Sequence, residues 1–352
     1  MHYLRPLGYR VTQTGKTHIN PPNVFPFENF GGGKNPDMKY IDRLFAETSK
    51  GGKPFCLFAC SNEPHTPWNK GDSSVYPPGK VKLPPYIVDT PRVRSDFSKY
   101  LAEITYFDSQ VGTIVDLLSK HGLSDNTLLM VVSEQGNAFP FAKWTCYDHG
   151  LQSAMLVRWP GRVKAGVVSD AMVEYVDVTP TFIDAAGGKP IAALDGKSFL
   201  PVLSGKAKQH KDYVFGIMTT RGINNGTEAF AIRSVRDSRY KLILNLNNES
   251  KFTNACTKMP LFQSMVAKAE TGDLLAKRLV RAYHYRPAVE FYNMEEDPLE
   301  MNNLAGQPNT IKKEARLRRE LEAWMMAQGD QGMATEMKAL KRQRQGKVRK
   351  KD

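Results

Sequence analysis

The chain has 352 residues, of which 41% are hydrophobic and 24% are charged, an ordinary globular composition with low complexity only at the extreme C-terminus. The net charge of +13 favours anionic partners such as nucleic acid, anionic lipid, or sulfated and phosphorylated substrates. No apolar run is long enough to span a bilayer, and the four cysteines form neither a CxxC pair nor a dense disulfide framework.

Predicted strands and helices alternate through the first two hundred residues. After the end of a helix at 1–8, short apolar runs predict strands at 9–14, 54–60, 127–132 and 154–159, the last three of them buried. Apolar side chains at helical spacing predict a helix at 95–120, and Pro180 marks the first turn of another at 178–186. This alternation predicts an α/β fold with a large, mainly parallel or mixed sheet flanked by helices.

The pattern changes after about residue 205. Two apolar runs at 229–235 and 240–246 flank a polar turn and predict a β-hairpin, with a third strand at 289–293 and a late helix at 311–326. The sequence therefore predicts an α/β domain at 1–204, a smaller α+β domain with an antiparallel sheet at 205–330, and a basic, disordered tail at 331–352. The tail is not predicted to bind nucleic acid, because no aromatic stacking set accompanies its charge.

Four polar clusters follow predicted strands, where α/β folds place their sites. They lie at 15–18, 62–68, 133–137 and 141–150. Each one alone is a weak signal that a polar turn, a structural histidine or a surface lysine would explain. Together they combine fixed positive charge, titratable imidazoles and hard oxygen ligands, which suit a tetrahedral dianion beside Ca²⁺ or Mg²⁺. The candidate site residues are Lys16, His18, His65, Glu134, Gln135, Lys143 and His149.

Five segments resemble, in order, the signatures of the sulfatase family in the alkaline-phosphatase superfamily. They are GYR…GKTH at 8–18, EPHTP at 63–67, DNT…SEQG at 125–136, VDVTPT at 176–181 and EDPLEMNNLA at 296–305. Similarity extends to about residue 329. Within the family the chain most resembles the heparan N-sulfatase branch, through the segments at 17–27, 86–91, 231–247 and 283–292.

The resemblance implies a chemistry in which sulfate esters or sulfamates are hydrolysed by a formylglycine made from Cys or Ser in a C/S-x-P-x-R motif. It implies that Lys16 binds the sulfate and the formylglycine hydrate. His18 acts as a base on that hydrate, and His65 and Lys143 contact the sulfate and the leaving atom. His149 is assigned to substrate binding with them.

The resemblance also implies a calcium site, with Mg²⁺ as the second choice of ion. Glu134 and Gln135 stand where the family has Asp followed by His or Asn, and we expect them to be the metal ligands. The sequence contains neither the Asp-Asp metal pair nor a C/S-x-P-x-R motif. We therefore expect an N-terminally truncated sulfatase, with formylglycine from outside this chain and no activity in the chain alone.

The expected function is hydrolysis of sulfated sugars of the glycosaminoglycan type. Two alternatives stay open at this point: a phosphodiesterase or phosphonate hydrolase of the same superfamily, and a non-catalytic protein that binds sulfated glycans. Neither nucleic acid nor a membrane is a predicted partner. The family implies a periplasmic, secreted or lysosome-like location, although no signal peptide is present in the sequence. The sugar, the linkage and the oligomeric state are not predicted.

Overall fold

The structure is a computed structural model that describes residues 2–19, 21–29, 31, 33–220 and 226–342. The strands are β1 (Arg10–Gly15), β2 (Glu28–Asn29), β3 (Phe55–Cys60), β4 (Leu129–Val132), β5 (Met155–Arg158), β6 (Val214–Met218), β7 (Ile232–Arg236), β8 (Tyr240–Asn245) and β9 (Val289–Asn293). The helices are α1 (Met38–Ser49), α2 (Pro91–Lys120), α3 (Asp148–Leu151), α4 (Val178–Ala185), α5 (Leu200–Leu203), α6 (Pro260–Glu270), α7 (Leu274–His284), α8 (Ile311–Ala327), α9 (Met333–Met337) and α10 (Ala339–Arg342).

The chain divides into two compact units, and each is assembled from separate segments. The first unit comprises Met1–Tyr76, Lys99–Val132 and Ala154–Lys211, and the second comprises Pro77–Ser98, Ser133–Ser153 and Asp212–Asp352. The predicted domains 1–204 and 205–330 are consecutive along the chain instead. Those boundaries stay predictions.

The first unit contains a parallel sheet in the order β2-β1-β3. The central strand β1 is buried along almost its whole length, as its apolar and threonine side chains suggest. Helix α1 begins at Asp37, whose carboxylate accepts hydrogen bonds from the backbone N–H groups of Lys39 and Tyr40. Its apolar stripe then packs on β3, with Leu44 and Phe45 in the same core. The predicted parallel arrangement is therefore present around β1.

Strands β4 and β5 also belong to the first unit and pair with each other in antiparallel register. Their predicted positions are confirmed, but the prediction that they are buried is wrong, as it is for β3, where Phe58 is 38% exposed. Val132 is 38% exposed and Leu156 is 67% exposed. In the register of β4 and β5, Val132 and Leu156 lie on opposite faces, and each strand has a single hydrogen-bonded neighbour among the described residues, so this two-stranded sheet leaves side chains exposed on both faces.

Helix α2 begins four residues earlier than the periodicity predicts. Pro91 occupies its first position, and the Oγ1 atom of Thr90 accepts a hydrogen bond from the backbone N–H of Val93. It ends at Lys120, and Gly122 follows in the left-handed region with φ of 66°. The predicted helix stop is thus confirmed. The predicted N-terminal helix end is a short 3₁₀ turn at Arg5–Leu7, and residue 1 lies outside the described residues.

The second unit is built on an antiparallel sheet in the order β6-β7-β8-β9. The predicted hairpin and the third strand are confirmed as β7, β8 and β9. Helix α8 covers one face of this sheet, where its Leu317 and Leu321 pack against Leu242 and Phe291. Strand β6 and the helices α1, α6 and α7 were not predicted from the sequence.

Residues 331–342 fall in the predicted disordered tail, yet they form the short helices α9 and α10. Glu336 is buried there, and its Oε1 atom accepts a hydrogen bond of 2.9 Å from the backbone N–H of Thr220. This buried hydrogen bond explains the order. Residues 343–352 lie outside the described residues. Across the described part of the chain, no helix has the length and apolar character needed to cross a membrane.

Candidate active site

The seven predicted site residues divide between the two units. Lys16, His18 and His65 belong to the first unit. The second unit holds the other four residues, Glu134, Gln135, Lys143 and His149.

Lys16 and the loop that carries His65 start from neighbouring strand ends. In the register of β1 and β3, Gly15 lies beside Cys60, and the backbone N–H of Lys16 donates a 3.0 Å hydrogen bond to the Cys60 carbonyl. Gly15 has φ of 89°, and a Cβ atom there would lie 2.1 Å from the Cys60 carbonyl oxygen, so only glycine fits. The strand-end prediction is confirmed for these two loops. His18 follows in an exposed segment.

The ring of His65 is held in one tautomer by its own loop. Its Nδ1 atom lies 2.7 Å from the carbonyl oxygen of Thr66, so Nδ1 carries the hydrogen and donates it. The backbone N–H of His65 also bonds the carbonyl of Asn62, which closes a tight turn. His65 is exposed, and Nε2 has no hydrogen-bond partner in the part of the chain that the structure describes. Nε2 is therefore the nitrogen available for acid–base chemistry.

Backbone contacts bring the four candidates of the second unit into one folded segment, residues 133–153. Gly136 donates its N–H to the carbonyl of Gly150 at 3.1 Å, which places the turn with Glu134 and Gln135 beside α3. The N–H of Lys143 donates to the carbonyl of Asn137 at 2.9 Å. These contacts hold the acidic turn, the lysine and the histidine of α3 together within one short segment of the chain.

Lys143 lies between two residues with left-handed backbone. Phe141 has φ of 64° and Trp144 has φ of 67°, although neither is glycine. Bulky side chains in this region cost about 1–3 kcal/mol each and persist where the surroundings enforce them. The Nζ atom of Lys143 lies 5.1 Å from the centre of the Trp144 ring. The backbone around Lys143 is therefore held in a conformation that costs free energy, and such strained backbone is often found at functional sites.

His149 is stacked on Tyr86, with 4.2 Å between ring centroids. Its Nε2 atom is buried and has no partner among the described residues, so Nδ1 is the nitrogen that bonds the backbone of Leu299. Burial lowers the pKa of His149, and this effect exceeds the opposing one of the Leu299 hydrogen bond. His149 is therefore a neutral imidazole at neutral pH, with a free lone pair on Nε2.

A network of buried charges lies beneath α3, and the sequence did not predict it. Lys241 on β8 contacts both Asp148, at 2.7 Å, and Glu300, at 2.9 Å. Arg236 on β7 pairs with the same Asp148, whose backbone N–H donates to Glu300 at 2.6 Å. The partners are 59 residues apart for Lys241 and Glu300 and up to 152 residues apart for Asp148 and Glu300, so no local sequence pattern indicates them. The network anchors the residue that directly precedes His149.

The fit of Glu134 and Gln135 to a calcium ion is partial. Both offer side-chain oxygens, the ligand type that Ca²⁺ prefers, and both side chains are exposed. Calcium takes 6–8 oxygen ligands. Within the described ranges, however, no group of three or more His, Cys, Asp or Glu side chains converges on one point. The donor chemistry fits calcium, and the described residues supply only a part of such a site.

Gly136→Ala is expected to displace the acidic turn from α3 and to lower the free energy of unfolding by about 1–3 kcal/mol. The added Cβ atom would lie 1.8 Å from the carbonyl oxygen of His149, which is backbone and cannot move aside alone. Chemical denaturation followed by circular dichroism measures the change. The control is Gly112→Ala in α2, where nothing lies within 4 Å and alanine should stabilise by about 1 kcal/mol. Equal effects of the two changes would contradict the described packing.

Comparisons with known proteins match nearly the whole chain. Residues 6–188 match the family model Sulfatase, and residues 136–256 match the model N-sulphoglucosamine sulphohydrolase, C-terminal. The ulvan-active sulfatase of Formosa agariphila is 31% identical over 339 residues, covering 93% of this chain and 64% of its own length. Human N-sulphoglucosamine sulphohydrolase is 28% identical over 363 residues, covering 90% of this chain and 71% of its own length.

The fold also matches solved structures. One is a protein in complex with its substrate D-glucosamine-2-N,6-O-disulfate, with a TM-score of 0.65 and 18% identity. The match covers 92% of this chain and 81% of that one. At this identity the likeness concerns the fold alone.

Proposed function

Because the chain belongs to the sulfatase family, we propose that it takes part in the hydrolysis of sulfate esters or sulfamates on sulfated sugars of the glycosaminoglycan type. The observation that carries this proposal is the segment 133–153, in which Lys143, the neutral His149 and two oxygen donors are held together by backbone contacts. Such a segment suits an anionic sugar substrate that must be both neutralised and oriented. The names of the two relatives given above, ulvan-active sulfatase and N-sulphoglucosamine sulphohydrolase, refer to sulfated saccharides, which supports this substrate class.

In this proposal each candidate residue has a defined part. Lys16 and Lys143 supply fixed positive charge to the sulfate oxygens. In its doubly protonated form, His65 gives the Nε2 proton to the leaving oxygen or nitrogen and keeps the Nδ1 hydrogen bond to the Thr66 carbonyl, which leaves a neutral ring. His18 takes up a proton when sulfate is released. His149 is assigned to substrate binding as the family resemblance implies, and its Nε2 atom, which is buried in this structure, would have to become accessible before a sugar hydroxyl or amine could donate to it.

Two groups from outside the described residues complete the proposal. A calcium ion held in part by Glu134 and Gln135 would neutralise sulfate charge, and a formylglycine would supply the nucleophile. The sequence holds no C/S-x-P-x-R motif, so we propose that the 352 residues by themselves release no sulfate. We further propose an exported protein, as the family resemblance implies.

The test is an assay of inorganic sulfate released from N-sulfated glucosamine, O-sulfated glucosamine and ulvan oligosaccharides, with calcium and with a chelator. The 352-residue chain is compared with a form that also carries an N-terminal segment containing C/S-x-P-x-R matured to formylglycine. We expect turnover in the extended form only, and its loss on chelation. The control replaces the Cys or Ser of that motif by alanine.

An extended form that releases no sulfate from any of these sugars would contradict the proposal. Turnover of phosphate diesters or phosphonates by the same form would select the alternative enzyme class. Binding of sulfated glycans without turnover would select the non-catalytic alternative.

A further inference from the structure

Glu103 is a buried carboxyl group that the proposed chemistry does not use. It lies on α2 with 0% exposure, in the same unit as His65. Its Oε1 atom accepts a 2.5 Å hydrogen bond from the backbone N–H of Lys70. Its Oε2 atom is buried and receives no N–H donor from the described residues. A bare carboxylate oxygen in such a place would cost several kcal/mol of desolvation.

The group that faces this carboxyl is a second carboxyl, that of Glu63. Glu63 is itself buried, and its two oxygens accept hydrogen bonds from Asn35 at 3.3 Å and Asn62 at 3.4 Å. No lysine, arginine or histidine side chain forms an ion pair with either glutamate within the described ranges. Two adjacent carboxylates without a cation repel each other. One proton shared between them removes the repulsion and supplies the hydrogen-bond donor that is otherwise missing.

We propose that Glu103 is a positioning residue whose carboxyl keeps a proton, donates it to Glu63 and thereby fastens the loop 61–71, with His65, to helix α2. The two residues that contact the Glu103 carboxyl, Glu63 and Lys70, lie near the two ends of this loop. Glu63 is two residues before His65, and the backbone N–H of Lys70 donates to Glu103 near the C-terminal end of the loop.

Two further contacts, at Ala102 and Tyr100 in the turn before Glu103, show how closely the loop follows the helix. Gly71 has φ of 67°, and a Cβ atom there would lie 2.2 Å from the carbonyl oxygen of Ala102. The ring of Trp68 meets Tyr100 edge to face, with 5.9 Å between centroids. Neither of these two contacts depends on pH, whereas the shared proton would.

The direction of the pH dependence follows from the shift at Glu103. Burial raises its pKa, the facing Glu63 raises it further, and the hydrogen bonds from the backbone of Lys70 and Asn69 partly oppose the rise. The folded state therefore binds this proton more tightly than the unfolded chain does. The contribution to stability is complete below the ordinary pKa of 4.5 and is lost as the pH rises through the folded value.

Glu103→Gln tests the proposal because the amide is neutral, has the same shape, can donate to Glu63 and can accept from Lys70. Infrared spectroscopy of the folded chain should show the carbonyl band of a protonated carboxylic acid at pH values above 4.5, where an ordinary glutamate has lost its proton. That band should be absent in Glu103→Gln and present in Asp108→Asn, a matched control at an exposed position of the same helix. Absence of the band in the original chain, or its survival in Glu103→Gln, would overturn the proposal.

A second measurement is the free energy of unfolding as the pH rises from 4.5, the ordinary pKa of this group. The original chain and Asp108→Asn should lose stability with rising pH relative to Glu103→Gln. Identical curves for all three would also overturn the proposal. Glu103→Ala removes the donor and the acceptor together, and the ring signals of His65 in nuclear magnetic resonance should shift in it while Glu103→Gln keeps them.

The effect on turnover rests on the proposed function. In the extended form, Glu103→Ala should lower kcat/KM by about 10- to 100-fold through misplacement of His65. Glu103→Gln should retain activity at pH values where the original chain has lost the shared proton. The infrared and stability measurements need no turnover, so a failure of the sulfatase proposal and a failure of this one are distinguishable.

Discussion

Lys241→Met is expected to lower the free energy of unfolding by about 3–5 kcal/mol, the usual cost of removing one partner from a buried ion pair. The side chain of Lys241 is 1% exposed, and its ammonium group contacts two carboxylates, those of Asp148 and Glu300. Methionine preserves the volume of the stem and removes the charge. Arg236 would then be the remaining cation beside Asp148, and Glu300 would keep a buried negative charge without its partner.

Burial acts on both members of this pair in opposite directions. It lowers the pKa of Lys241 and raises the pKa of Glu300, while each group's charge opposes the shift of the other. The charged forms therefore stabilise each other, and removal of one leaves the other with an uncompensated cost. The double variant Lys241→Met/Glu300→Gln should recover part of the stability, because the amide needs no counter-charge.

Urea unfolding followed by circular dichroism measures these differences. Lys120→Met is the control, since the side chain of Lys120 is 58% exposed and pairs with Asp42 at the surface. An exposed pair of this kind should contribute about 0–1 kcal/mol. A Lys241→Met variant as stable as the Lys120→Met control would show that the buried network does not carry the stability assigned to it.

Lys143→Ala is expected to reduce kcat/KM for sulfate release by about 10²–10³-fold in the form that carries the nucleophile, the usual loss when one fixed group that stabilises transition-state charge is removed. The left-handed residues Phe141 and Trp144 hold its backbone, so the alanine variant should keep its fold. Lys143→Arg retains the charge, and its planar group should restore only a part of the rate because the geometry differs.

The matched control is Lys258→Ala, which removes one exposed positive charge from the same unit outside the candidate site. It should leave kcat and KM nearly unchanged. A loss that appears in KM alone for Lys143→Ala would indicate ground-state binding of the substrate rather than stabilisation of the transition state. Equal kinetics for Lys143→Ala and Lys258→Ala would remove Lys143 from the proposed site.

The family and the fold class could both be predicted from the sequence. The resemblance to sulfatases and to their N-sulfatase branch is confirmed by the two family models, and the α/β class with a C-terminal antiparallel sheet is confirmed by the structure. The elements with strong periodicity or turn chemistry, such as α2, α8 and the β7–β8 hairpin, were placed within a few residues. The roles of the site residues, the calcium ion, the formylglycine and the location stay predictions.

Other elements escaped prediction for a physical reason. Strand β6 is recognisable only through its pairing with β7, and β4 and β5 have the composition of buried strands without the packing partners that would bury them. Local composition predicts which secondary structure a segment can form. Burial and pairing depend on neighbours that are distant in sequence.

What the sequence determined by itself is the set of reactive groups, their places after strands, and the family signatures that connect them, because these are properties of short segments. What only the tertiary structure decided is which buried groups face one another: Glu103 with Glu63, Lys241 with Asp148 and Glu300, and Gly136 with Gly150. These contacts join residues that lie 14 to 93 positions apart, and their energy comes from desolvation and close packing. Neither quantity exists until the chain has folded.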